Sequence, residues 1–351
     1  MDFTSVIPKI VSGFDINKGD IILVQLWGED RDLPLLDRFA IEIGKRGGIP
    51  VKWQQSRDFL GKYFSEVPPE NLDFPDAYFD AFKPAGTVID ILTHSPAPGS
   101  DLPKERYPKY GAYIRKLFGV AASKKYFIQV FVPTEENAEE AGIDFNTFQA
   151  TLMAALDIDV QKIKDQCGFL AEKFKDRDRV EIHSGGGRIF SCRLKGRQWY
   201  RDDGTGAVPC GEVYISPLEE SGQGQLLVPE VYIGGRKFQD VLLTFRDGKL
   251  VETSDPAILK QITAFPGDCD RLAEFGIGFN PGVTKLTGYV PTDEKMAGTV
   301  HVAVGMNNLA GGKNDSPFHL DFVVRPERVE LDGKTIMARG EFSNDIRDRM
   351  K

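Results

Sequence analysis

The sequence predicts an α/β protein of two domains. The N-terminal domain is built on an open, mostly parallel α/β sheet, and the C-terminal domain is β-rich α+β. Three observations lead there. A chain of 351 residues is too long for one typical core. Its first half alternates apolar, β-branched runs with stretches of helical spacing, the pattern of parallel strands joined by crossover helices. From Arg179 onward the runs are short and alternating, separated by glycine-rich turns as in antiparallel hairpins. The boundary falls near residue 165, giving domains over 1–165 and 166–351.

Asp20–Gln25 is an apolar run after a Lys-Gly-Asp turn and reads as a buried strand. Leu35, Leu36, Phe39, Ala40 and Ile43 recur at helical spacing, and Gly47-Gly48 closes that helix. Ile49–Trp53, Thr87–Leu92 and Tyr126–Val132 are further strands, with helical stretches near Tyr113–Leu117 and Asn146–Leu156. Val160, Ile163, Cys167, Leu170 and Phe174 mark a helix bridging the halves. Val180–His183, Ile189–Leu194, Leu226–Ile233 and Val241–Phe245 are hairpin strands. The glycines at 185–187 join two of them, with His183 read as a solvated turn residue beside them. No GxGxxG or GxxxxGKS loop follows the first strand, so neither a dinucleotide nor a P-loop site is supported.

The net charge is −8, from 52 acids against 44 bases, with no basic tail or block. That argues against nucleic acid or an anionic membrane as partner. The apolar runs are strand-sized, no secretory signal pattern is visible, and the four cysteines (Cys167, Cys192, Cys210, Cys269) form no CxxC pair. A soluble cytoplasmic protein with reduced thiols is expected; Cys210, next to Gly211 and Glu212, reads as a small apolar filler.

Histidine is scarce, with four in the chain, and two of them lie close together near the C-terminal end: His301 in Thr-Val-His-Val-Ala-Val-Gly and His319 in Phe-His-Leu-Asp-Phe. Asp321 follows His319 by two positions, so on a strand both point to one face and could serve one metal ion. Glu212 and Glu274 sit likewise among apolar strand residues and glycines, where an unpaired charge is costly. Three carboxylates and two imidazoles suffice for a pair of divalent ions if one carboxylate bridges, and the mixed N/O set suits zinc, cobalt or manganese.

Four segments carry a resemblance. They are Pro-x-Gly-Glu-Val around Glu212, Glu-x-Gly-x-Gly-x-Asn-Pro from Glu274, His-x-Ala-x-Gly from His301, and Asn-x-Ser-x-x-His-x-Asp-Phe from Asn314 to Phe322. In this order they resemble the aminopeptidase T family of dinuclear metallopeptidases. The resemblance implies metal ligands at Glu212, Glu274, His301, His319 and Asp321, with Glu274 bridging and Glu212 and Asp321 terminal. It implies a metal-dependent aminopeptidase in which a water activated by two ions hydrolyses N-terminal residues from peptides. Catalytic roles would then fall to Glu274 and Glu212, with Glu294 as a further candidate base. Family members form homodimers, which is the expectation here, with a peptide or another small molecule as substrate. The chain departs from the family where a tyrosine near the metals is usual: Asn308 falls at about that position, in a short loop. An asparagine amide can donate to an oxyanion but is a poorer metal ligand. The fold is shared with ring-cleaving dioxygenases of dihydroxypyridine type, which hold one iron(II), and His94 in Thr-His-Ser-Pro resembles a catalytic segment of those enzymes. That is the alternative function; a non-catalytic binding or biosynthetic partner protein is another.

Overall fold

The computed structural model describes residues 2–351, and the chain divides into two compact units. The first runs to Gln161 and takes in Gly204–Pro209; the second comprises Lys162–Asp203 and Cys210–Lys351.

The first unit is an α/β domain. Strands β1 (Ile21–Trp27), β2 (Ile49–Gln55), β3 (Thr87–Leu92) and β4 (Tyr126–Phe131) are joined by a fifth, β8 (Ala207–Val208), in the order β2-β1-β3-β4-β8. All four pairings are parallel. Parallel neighbours need crossovers, and the helices Leu33–Lys45 and Tyr107–Ala122 provide them. The second of these extends well beyond the expected Tyr113–Leu117. Its buried Tyr110, Tyr113, Leu117 and Ala121 recur at three- and four-residue spacing. Trp27, Phe64, Phe79, Phe82 and Tyr113 form part of a buried aromatic core against the sheet. β1 is buried along nearly its whole length, as a strand covered on both faces must be. Its one polar member, Gln25, is paired in register with Asp90 of β3, and Gln25 Nε2 donates to Asp90 Oδ1 at 3.0 Å. β8 is only two residues long and arrives from far along the chain, so no periodicity announces it.

The helix Val160–Phe174 continues across the division between the units, with Val160, Ile163, Cys167, Leu170 and Phe174 buried as its spacing predicts. The second unit is antiparallel and β-rich. An eight-stranded sheet has the order β12-β11-β10-β6-β5-β16-β17-β18. Its strands are β5 (Arg179–Gly185), β6 (Arg188–Arg193), β10 (Gln223–Ile233), β11 (Arg236–Arg246), β12 (Lys249–Thr253), β16 (Arg328–Leu331), β17 (Lys334–Ala338) and β18 (Glu341–Phe342). His183 proves to be a strand residue, because β5 continues to Gly185 before the turn. It is paired with Arg328, whose guanidinium donates to His183 Nε2 at 3.2 Å. A five-stranded sheet has the order β15-β14-β13-β9-β7, built from β7 (Trp199–Asp202), β9 (Glu212–Ile215), β13 (Leu272–Gly278), β14 (Thr299–Gly305) and β15 (His319–Val324). No helix among the described residues is long and apolar enough to cross a membrane.

Candidate metal centre

The five-stranded sheet carries every residue of the predicted ligand set. Glu212 opens β9, Glu274 lies in β13, His301 in the middle of β14, and His319 and Asp321 in β15. Register places them on one face. Glu274 pairs with Ala303, which pairs with Asp321; His301 pairs with Gly276; His319 pairs with Gly305; Glu212 pairs with Gly278. Side chains directly opposite across antiparallel strands share a face, so each functional group stands beside a residue with little or no side chain. The glycines have a steric reason. A Cβ on Gly276 would lie 2.1 Å from His301 Cε1 and Nε2, and one on Gly278 would meet the carbonyls of Glu294 and Met296 at 2.7 and 2.6 Å. Gly211, before Glu212, has φ of 124° and packs against Asn280, where a Cβ would come within 2.9 Å of the Asn280 Cβ. A bulge between Leu272 and Glu274 re-aims Glu274. Gly276→Ala is accordingly expected to destabilise the protein by about 1–3 kcal/mol through overpacking. Urea unfolding with an unchanged midpoint would contradict this contact.

Distances link the five residues. His301 Nε2 is 3.1 Å from Glu274 Oε1 and 3.6 Å from Glu212 Oε2. His319 Nε2 is 3.4 Å from Asp321 Oδ1, while its Nδ1 donates to the Met306 carbonyl at 2.7 Å. That bond orients the ring and turns Nε2 toward Asp321, and a carbonyl on the other ring nitrogen is the usual outer partner of a metal-binding histidine. Potential ligand atoms of Glu274, His319 and Asp321 lie within 4.8 Å of one another, and so do those of Asp202, Glu212 and Glu294. His301 stands between the two groups.

Two further residues belong to the site and carry no signal in the sequence. Lys295 is 2 % exposed, and its ammonium lies 2.8 Å from Asp202 Oδ2 and 3.2 Å from Glu212 Oε1, and also donates to Glu294. Asp202 sits in an Arg-Asp-Asp-Gly stretch that reads as a turn, and periodicity cannot mark a buried lysine.

Burial would push the Lys295 ammonium down, but Asp202, Glu212 and Glu294 outweigh it and hold it well above the ordinary range. Burial opposes the charging of both imidazoles too. The Glu274 hydrogen bond and neighbouring acids nevertheless lift His301 to about 9, and Asp321 foremost lifts His319 to about 10. Burial, then repulsion by Glu294, pushes Glu212 well above the carboxylate range; burial likewise raises Glu294. Asp321 is lowered, because His319 outweighs its burial. Five carboxyl groups thus face one ammonium and two imidazoles. Meanwhile Glu212 Oε2, Asp321 Oδ1 and His301 Nδ1 are buried without a hydrogen-bond partner. Surplus negative charge and orphaned lone pairs are what a divalent cation would satisfy, and the donor set is of a suitable kind.

Asn308 is not brought to this face. It begins the exposed 3₁₀ turn Asn308–Ala310 beyond β14, and the buried amide there is Asn307, which donates to Glu219 Oε1 at 3.3 Å. His94 belongs to the first unit. It is buried just past the end of β3, with Nδ1 donating to the Ser95 carbonyl at 2.8 Å and Nε2 3.7 Å from Glu29 Oε1. A third acid–histidine group, Glu181, His183 and Glu330, is already neutralised: Arg179 lies 2.6 Å from Glu181 and Arg328 2.9 Å from Glu330.

Residues 9–342 match the family of thermophilic metalloproteases, M29. The chain belongs to that family. M29 membership makes it a metallopeptidase by descent and implies divalent metal cofactors, in keeping with the acid–histidine groups on the five-stranded sheet. No curated protein matches the chain. Among solved structures, wild-type AmpT from Thermus thermophilus is 17% identical, covering 97% of this chain and 100% of its own, with a TM-score of 0.66. The 2,5-dihydroxypyridine dioxygenase from Pseudomonas putida KT2440 is 14% identical over 97% of this chain and 96% of its own, with a TM-score of 0.64. At these identities both likenesses speak for the M29 fold alone.

Proposed function

We propose that this M29 protein is an aminopeptidase that holds two divalent cations on Glu212, Glu274, His301, His319 and Asp321 and removes N-terminal residues from peptides. The observation that supports it most directly is the convergence of three carboxylates and two imidazoles on one sheet face, in two groups joined by His301. Divalent ions held there would supply Lewis acidity toward a peptide carbonyl and toward water. Glu274, the member of its group that reaches His301, is the bridging candidate, with Glu212 and Asp321 terminal. Glu294 has one oxygen engaged by Lys295 and an 18% exposed side chain. It would accept the proton of the attacking water and pass it to the leaving amine. A homodimer is part of the same proposal.

Elemental analysis of purified protein, with a panel of aminoacyl-coumarin substrates, tests this. About two zinc, cobalt or manganese ions per chain and release of the fluorophore are expected. One iron per chain with oxygen uptake on a dihydroxypyridine ring would replace the proposal with the dioxygenase reading. Retained metal with no hydrolysis across the panel would leave a non-catalytic binding protein.

A further inference from the structure

Lys295 is the least expected member of the cluster. An ammonium beside a site for cations repels them, and its own burial is costly. Its three hydrogens meet three carboxylates, Asp202, Glu212 and Glu294, so its donor capacity is filled. The backbone around it is clamped. Asn280 N donates to the Lys295 carbonyl at 2.9 Å, Lys295 N donates to Thr292 O at 3.0 Å, and Gly278 lets Glu294–Met296 pass close over β13. Asp202 is equally fixed, since it pairs in register with Glu212 across β7 and β9.

We propose that Lys295 is a positioning residue: anchored on Asp202, it engages one oxygen of Glu212 and one of Glu294, so that each carboxylate offers its remaining oxygen to the cations in a set direction. Glu212 displays the result. Its Oε1 is 3.2 Å from the ammonium, while the buried Oε2 has no hydrogen bond and stands 3.6 Å from His301 Nε2. Without the ammonium, Glu212, Glu294 and Asp202 would turn apart under their mutual repulsion, and their oxygens would no longer share one set direction. The inference rests on the reading that this cluster holds divalent cations.

Two accounts of Lys295 predict opposite signs. As a bystander charge, its removal would tighten cation binding by relieving repulsion. As a positioning residue, its removal loosens binding by about 10- to 100-fold, the range for partners that orient metal ligands. The experiment titrates metal-free wild type and Lys295→Met with Zn2+ against a chromophoric chelator, and records the Co2+ absorption spectrum of each. Expected results are a 10- to 100-fold weaker affinity and an altered Co2+ spectrum. Should Lys295→Met not fold, the charge-balanced double variant Asp202→Asn, Lys295→Met takes its place, with the same loss expected. Equal or tighter Zn2+ binding in the folded variant, with an unchanged Co2+ spectrum, overturns the role of Lys295 alone. A wild type that binds neither ion overturns the metal reading and this role with it.

Discussion

Glu274→Gln is expected to strip the protein of divalent metal and of peptidase activity together while leaving it folded. Glutamine keeps the size of the side chain, so the strand and its neighbours Gly276 and Ala303 are undisturbed. What disappears is a negative charge 3.1 Å from His301 Nε2, in the carboxylate that links the Glu274–His319–Asp321 group to His301. Partners that merely orient ligands are worth 10- to 100-fold in metal affinity, so loss of Glu274 in its proposed bridging role should exceed about a hundredfold, with kcat/KM falling in step. The metal-free variant should still melt cooperatively, because the glutamine amide oxygen can accept the hydrogen bond that Glu274 Oε1 shares with His301 Nε2. Dialysis followed by elemental analysis reads the first effect, and thermal melting the second. A variant that retains its full metal complement and turns over normally would remove Glu274 from the ligand set.

The second large effect lies in the other unit. Asp90 is 1% exposed in the middle of β3, and burial raises its carboxyl to about 7, against a partly offsetting hydrogen bond from Gln25. An acid whose folded pKa is raised above its unfolded value of 3.8 releases its proton more readily from the unfolded chain. Its cost is absent below pH 4, grows between about 4 and 7, and is constant above. Each tenfold change in proton affinity is worth about 1.4 kcal/mol, so the full cost is about 4 kcal/mol. Asp90→Asn keeps an acceptor for Gln25 Nε2 and cannot ionise. It is expected to stabilise the protein by up to about 4 kcal/mol above pH 7, with the gain fading to nothing near pH 4. Urea unfolding of both proteins at pH 4.5, 6 and 8 measures this. A gain independent of pH would show that Asp90 does not titrate in that range.

Much of this is legible along the chain. The spacing of two between His319 and Asp321 suffices to predict a shared face, because side chains alternate on any strand, and β15 holds them 3.4 Å apart. Thr87–Leu92 and Val160–Phe174 have the bounds their periodicity indicates. Other features rest on contacts between distant residues. Asn308 aligns with the family tyrosine by count, yet the short turn that begins at Asn308 leaves it exposed and buries Asn307 in its place. His183 ends the expected strand Val180–His183 and reads as solvated because glycines follow it closely, but β5 runs on to Gly185 and pairing with β16 leaves it half-buried.

By itself the sequence determined the parallel α/β character of the first unit, the hairpin-rich second, and the short segments from which an acid–histidine site could be assembled, since each depends on periodicity or on neighbours a few residues apart. Only the tertiary structure decided that Asp202 and Lys295 join that site and that Gly276 and Gly278 make room for His301 and for Glu294–Met296. It also decided that two residues at 207–208 complete the first sheet. Burial of a charge or of a bare backbone is a property of what packs around it, and residues far apart in the chain supply that packing.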